Sequence, residues 1–166
     1  SYKDETSYGD RVLITLHSTE NLKFLPDWFK VISNVAASYP SLEFVYPVHP
    51  NPVIAKEAEK LKNVTLCEPL EHHDFLKILK DCRFVISDSG GIQEEGSFLN
   101  KKIVVCRKTT ERPEGINTGH LILCANPSKL EKTVEMVVNN FTINAACPYG
   151  DGKSSERIKA IISEYE

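Results

Sequence analysis

The chain has no apolar run long enough to cross a bilayer; stretches such as 121–125 (LILCA) are far too short, and no basic, apolar leader opens the sequence. It also has no surplus of positive charge. Twenty Lys and Arg stand against 23 Asp and Glu, a formal net charge of -3, so there is no basic excess to neutralise a phosphate backbone, and nucleic acid is not an expected partner. Cysteine pairs are missing as well. Cys67, Cys82, Cys106, Cys124 and Cys147 are odd in number, widely spaced and never in a CxxC pair, which argues against a disulfide framework and a zinc knuckle and for most of them as buried thiols. Internal repeats and low-complexity segments are absent. With 41% hydrophobic and 26% charged residues over 166 positions, what remains is one globular domain with a full core, or at most two very small ones, expected in the cytoplasm and away from membranes. The first residue is Ser1 and the opening SYKDETSYGD is polar, so residues 1–10 read as the remnant of a linker and residues 11–166 as the domain.

Short β-branched runs alternate with amphipathic stretches, the pattern of parallel strands joined by crossover helices. Strands are expected at 12–16, 43–46, 64–67, 83–87, 103–106 and 121–123. The first helix should begin near Pro26, because Trp28, Phe29, Ile32, Val35, Ala36 and Tyr39 recur at three and four, and Pro40 should stop it. Further helices are expected at 54–61, 74–79, 92–99, 128–138 and 155–165. The fold class is therefore α/β, a Rossmann-like parallel sheet with helices on both faces, and in such sheets ligands bind beyond the carboxyl ends of the strands.

The loops at those ends carry the chemistry. After the first strand comes His17-Ser18-Thr19-Glu20-Asn21, where Ser18 or Thr19 turns the chain and His17 either packs or faces a site. After the second, Pro47, Pro50 and Pro52 stiffen the loop that presents His49, an arrangement that suits binding and plain turns equally. After the fourth, the run Asp88-Ser89-Gly90-Gly91-Ile92-Gln93-Glu94-Glu95-Gly96 is the most informative. Paired glycines entering a helix let backbone N–H groups approach an anion such as a diphosphate, and Ser89 offers a hydroxyl to the same anion. Ser97 and Phe98 stand where a P-loop needs Lys and Ser/Thr, so this is not a Walker sequence. Glu94 and Glu95 are expected in the first helical turn, either complementing the macrodipole or taking sugar hydroxyls. The loop after the fifth strand, Arg107 to Gly115, is rich in both charges, with Arg112 restricted by Pro113. The GKS at 152–154 follows no strand and reads as a turn and helix cap. His72 and His73, adjacent on a helix and without a completing cluster, are set aside as metal ligands.

Taken together, LITLHSTENL, VYPVHPNP, ISDSGGIQEEG, KTTERPEG and PYGDGKSSERI occur in the order found in the non-hydrolysing UDP-N-acetylglucosamine 2-epimerases, and the chain resembles their carboxyl-terminal domain from Asp10 onward. The resemblance implies one half of a glycosyltransferase-B-type fold, with the nucleotide sugar between two Rossmann-like domains and the amino-terminal half missing here. Ser89, Gly90 and Gly91 resemble the family's diphosphate-binding turn, Glu95 the carboxylate on the ribose hydroxyls, and Phe75 the residue whose backbone helps hold the uracil. Arg112 resembles an active-site arginine and His17 a catalytic histidine. His49 resembles a histidine of a neighbouring site, where a second UDP-N-acetylglucosamine activates bacterial members; the residue after His17 is Ser18, where many of those members carry Arg. The implied reaction inverts C2 of the sugar by eliminating UDP to a 2-acetamidoglucal and adding it back, in the service of polysaccharide biosynthesis. The proton-transferring carboxylates would lie on the missing half, the full-length enzyme would be a homodimer, and no metal or redox cofactor is implied. Two alternatives are the donor-binding half of a UDP-N-acetylglucosamine-dependent glycosyltransferase and a non-catalytic nucleotide-sugar sensor. The TTERPEG and PYGDG blocks favour the epimerase over the transferase.

Overall fold

A computed structural model describes residues 9–109, residue 116 and residues 119–139 of the chain. Arg112, the PYGDG block, Cys147 and the helix expected at 155–165 lie outside the described residues. Six strands form one sheet: β1 (Arg11–Thr15), β2 (Glu43–Pro47), β3 (Val64–Cys67), β4 (Phe84–Ser87), β5 (Lys102–Val105) and β6 (Leu121–Leu123). They are all parallel, in the order β3-β2-β1-β4-β5-β6. The helices are α1 (Leu25–Ser38), α2 (Pro52–Ala58), α3 (His72–Asp81), α4 (Gly90–Phe98) and α5 (Leu130–Asn139). The Rossmann-like expectation is met.

Alternation along the strands decides which helix covers which face. Val12, Ile14, Phe44, Tyr46, Phe84, Ile86 and Val104 point to one side, where they join Trp28, Phe29 and Ile32 of α1, Ile54 of α2 and Leu130, Val134 and Val137 of α5. Leu13, Val85, Ile103 and Val105 point to the other, against Leu76 and Leu79 of α3 and Ile92 of α4. Strands buried on both faces read as the near-continuous apolar runs seen in the sequence. Phe29 meets Tyr46 edge to face, with ring centroids 5.5 Å apart, a geometry that contributes about 0.5–1.5 kcal/mol beyond burial. Gly96 lets α4 lie close on β5, for a Cβ there would stand 2.7 Å from Ile103 Cδ1.

Several boundaries differ from the sequence reading, each for a local reason. Leu16 is fully buried but past the end of the ladder; its carbonyl accepts from the Tyr46 hydroxyl at 2.7 Å. A six-residue 3-10 helix, Thr19–Phe24, precedes α1 where a polar loop was expected, capped by Ser18 Oγ accepting from Glu20 N–H. Helix α2 starts at Pro52 because Asn51 Oδ1 takes the Val53 N–H at 2.9 Å, and Pro suits the first turn. Helix α4 starts at Gly90, two residues earlier than expected. Glu94 and Glu95 therefore sit in its second turn, and the first turn holds no acid. No helix among the described residues is long and apolar enough to cross a membrane.

Candidate functional site

The strand order reverses between β1 and β4. There α1 leaves one face and α4 the other, which opens a crevice at the carboxyl ends of the strands. Two loops meet in it. Asp88, 2% exposed, directs its carboxylate into the loop that follows β1: Oδ1 accepts from His17 N–H at 3.1 Å, and Oδ2 accepts from Ser18 N–H at 2.9 Å and from the Asn21 side-chain amide at 3.0 Å. Asn21, itself buried, also donates to the Cys106 carbonyl at 2.7 Å, so the ends of β1, β4 and β5 share one network. Beneath it, the Thr15 hydroxyl donates to Ser87 Oγ at 2.6 Å, and Ser87 Oγ accepts from Ser89 N–H at 3.0 Å. Burial, and secondarily the Asp88 charge, push the Tyr46 phenol far above its usual range, so its proton stays available for the Leu16 carbonyl.

Above this network lies a cleft of about 240 Å³ lined by Thr15, His17, His49, Phe75, Ser89 and Ile92, among others. Four of the site residues expected from sequence thus share one hollow. The His17 and His49 rings stack with centroids 5.1 Å apart and 24° between planes. His49 is oriented from behind, its Nδ1 accepting from Asn51 N–H at 3.1 Å. At the cleft floor Ser89 caps α4, its Oγ accepting from Ile92 N–H at 3.4 Å. The first amides of that helix, those of Gly90 and Gly91 included, have no intrahelical acceptor and carry the positive end of the dipole. A Cβ built on Gly91 would meet only Ser89 Oγ, at 3.9 Å, so the protein's own packing does not require glycine there. The space suits an incoming anion. One turn further along α4, Glu95 faces α3, with Oε1 4.0 Å from His72 Nε2. At the far side Arg107 Nε pairs with Glu20 Oε2 at 3.2 Å, joining the loops after β5 and β1.

Sequence reasoning passed over Asp88, Asn21 and Tyr46. Nothing local marks Asp88 as buried, since its partners lie 67 to 71 positions away. At the start of α3, Glu71, His73 and Asp74 bring one ligand atom each within 4.8 Å of one another, but there the helix dipole opposes a cation. The buried thiols are as expected: burial pushes Cys82 up to about 12 and raises Cys106 and Cys124, while Cys67 is only half-buried.

The profile of the UDP-N-acetylglucosamine 2-epimerase family matches residues 2–163. The UDP-N-acetylglucosamine 2-epimerase of Bacillus subtilis is 37% identical over 166 residues, an alignment covering 93% of this chain and 44% of that protein. Among solved structures, the S. aureus protein MnaA with UDP superposes with a TM-score of 0.80 at 35% identity, covering 95% of this chain and 45% of its own. The Neisseria meningitidis UDP-GlcNAc 2-epimerase bound to UDP-GlcNAc does so with a TM-score of 0.80 at 31% identity, covering 97% and 46%. The chain spans less than half the length of these relatives, as one half of a glycosyltransferase-B-type fold would. A match over nearly the whole chain, joined to a doubly wound sheet with the expected turn at its switch point, places this chain in the UDP-N-acetylglucosamine 2-epimerase family.

Proposed function

We propose that residues 11–166, with 1–10 as linker, form the UDP-sugar-binding half of a cytoplasmic enzyme that interconverts UDP-N-acetylglucosamine and UDP-N-acetylmannosamine by eliminating and re-adding UDP. The observation that carries this reading is the start of α4: a Ser89 cap, two glycines, and open space above Gly91 at the edge of a cleft that also holds His17, His49 and Phe75. A diphosphate seated there receives backbone N–H groups and the helix dipole, and the same donors stabilise the charge that grows on UDP as the C1–O bond breaks. Phe75 lies on the α3 side of the cleft, where the base would rest, and Glu95 on the next turn of α4, where the ribose hydroxyls would reach it. His17 serves the reacting sugar, Arg112 takes the active-site role that the family resemblance implies for it, and His49 belongs to an adjoining activator site. An amino-terminal half supplies the carboxylates that take and return the C2 proton, and the full-length enzyme pairs as a homodimer.

Two measurements test this. Calorimetric titration of the chain should give weak 1:1 binding of UDP and UDP-N-acetylglucosamine, of roughly millimolar affinity because this chain supplies one side of the cleft. No heat at that concentration would overturn the site. The chain alone should also leave the C2 proton of UDP-N-acetylglucosamine unexchanged in deuterated water, and rapid exchange would show that the base lies on this half.

A further inference from the structure

His17 and the Ser89–Gly91 turn stand on two separate loops, and Asp88 hydrogen-bonds from one loop to the other. We infer that Asp88 is the positioning residue of the site: its buried carboxylate clamps the peptide backbone on both sides of His17 and so presents that imidazole to an anion held on the Ser89–Gly91 turn. The inference deepens the reading above and rests on it. The peptide unit between Leu16 and His17 is held at both of its polar groups. Its carbonyl accepts from the Tyr46 hydroxyl at 2.7 Å, and its N–H donates to Asp88 Oδ1 at 3.1 Å. Both partners are almost fully buried, so water does not compete for either bond. The next peptide unit is held as well, by Ser18 N–H donating to Asp88 Oδ2 at 2.9 Å. With the peptides before and after it fixed, His17 keeps only its side-chain torsions, and the stacked His49 ring restricts those.

A purely architectural tie between the two strands does not need this carboxylate. The strand register already runs from Val12↔Phe84 to Thr15↔Ser87, Asp88 N–H continues it by donating to the Thr15 carbonyl at 3.2 Å, and the Thr15 and Ser87 hydroxyls bond below it. The side chain reaches past the end of that ladder to the one loop segment that bears His17. Its immediate neighbour is Ser89, whose N–H is itself held by Ser87 Oγ. Anion turn and imidazole therefore share a support one residue long. Groups that act on one substrate must hold their mutual geometry to within a fraction of an ångström, and a support of this kind does so.

The test compares the 166-residue chain with Asp88→Asn, which keeps the shape but places an NH₂ against N–H donors. In the unaltered chain, UDP should shift the NMR signals of the His17 imidazole. In Asp88→Asn the UDP dissociation constant should change by less than about tenfold, since the Ser89–Gly91 amides are untouched, while the shift at His17 is lost. A His17 response equal to that of the unaltered chain would overturn the inference and leave the nucleotide site standing. An unaltered chain that binds no UDP would overturn the nucleotide reading and the inference with it. Should Asp88→Asn fail to fold, amide hydrogen exchange of the unaltered chain decides: the His17 and Ser18 amides should be protected as well as those of β4, and fast exchange at both would contradict the clamp.

Discussion

The side-chain amide of Asn21 bridges Asp88 Oδ2 at 3.0 Å and the Cys106 carbonyl at 2.7 Å, and this one residue ties the loop after β1 to the ends of both β4 and β5. All three groups lie out of water. Around that knot are the surfaces where nucleotide, ribose and sugar are expected, so its stiffness and the chemistry above it are separately testable.

Glu94 and Glu95 are adjacent on α4 but should behave differently. A first-turn acid complementing the macrodipole would contribute about 0.3–1 kcal/mol to stability, and the effect fades beyond that turn. Both residues lie in the second turn, which weakens that explanation for either. A carboxylate accepting two ribose hydroxyls is worth more. Glu95→Gln should lower UDP affinity by about tenfold or more and Glu94→Gln change it little, read as dissociation constants with melting temperature as the folding control. Equal small effects would remove the ribose clamp.

The two central glycines of the turn-helix should separate packing from binding. Gly96→Ala pushes a methyl to 2.7 Å from Ile103 Cδ1 and 3.2 Å from Cγ1 in a fully buried cluster, and overpacking of that kind costs about 1–3 kcal/mol. Gly91→Ala meets nothing closer than 3.9 Å and should leave stability within about 0.5 kcal/mol while weakening UDP. Denaturant unfolding and UDP titration of both variants check the contrast. A destabilised Gly91→Ala with unaltered UDP binding would reverse the assignment.

At the opposite end of the sheet Lys101 is fully buried, its Nζ donating to the Cys82 carbonyl at 2.7 Å. Burial holds its pKa down to about 8, against an ordinary lysine value of 10.5. Between those values the unfolded chain keeps a proton that the folded one has released, so stability should rise with pH across the window, by up to about 1.4 kcal/mol per pH unit. Below pH 8 both states are charged and this contribution is flat. The buried thiols Cys82, Cys106 and Cys124, whose pKa values burial raises, act in the opposite sense above about pH 9 in both proteins, so the difference is read: in urea unfolding from pH 7 to 10 the unaltered chain should gain stability relative to Lys101→Met. Parallel pH profiles for the two would contradict it.

The sheet was legible because its central strands are short runs buried on both faces and so read as apolar; 64–67 and 121–123 match the observed β3 and β6 to the residue, although the edge strand β3 leaves Thr65 and Leu66 exposed. Helix starts were less legible where capping outranks periodicity. Ile54 is the first buried residue of α2, yet Asn51 and Pro52 set the start, and Ser89 does the same for α4. The 3-10 helix at Thr19–Phe24 is too short to display a period. At the site, His17, His49, Phe75 and Ser89 came from loop position and family resemblance. Asp88 and Asn21 did not, because a buried polar pair is defined by long-range partners that no window of sequence contains.

The central claim is that a diphosphate docks on the start of α4, and amide chemical shifts measured during a UDP titration test it most directly. The Ser89, Gly90 and Gly91 amides should move with UDP and not with uridine at equal concentration, since the diphosphate makes the contact. UDP shifts that bypass those three amides and gather elsewhere, for example on the lysine-lined groove of Lys30, Lys60 and Lys62 between α1 and α2, would contradict it.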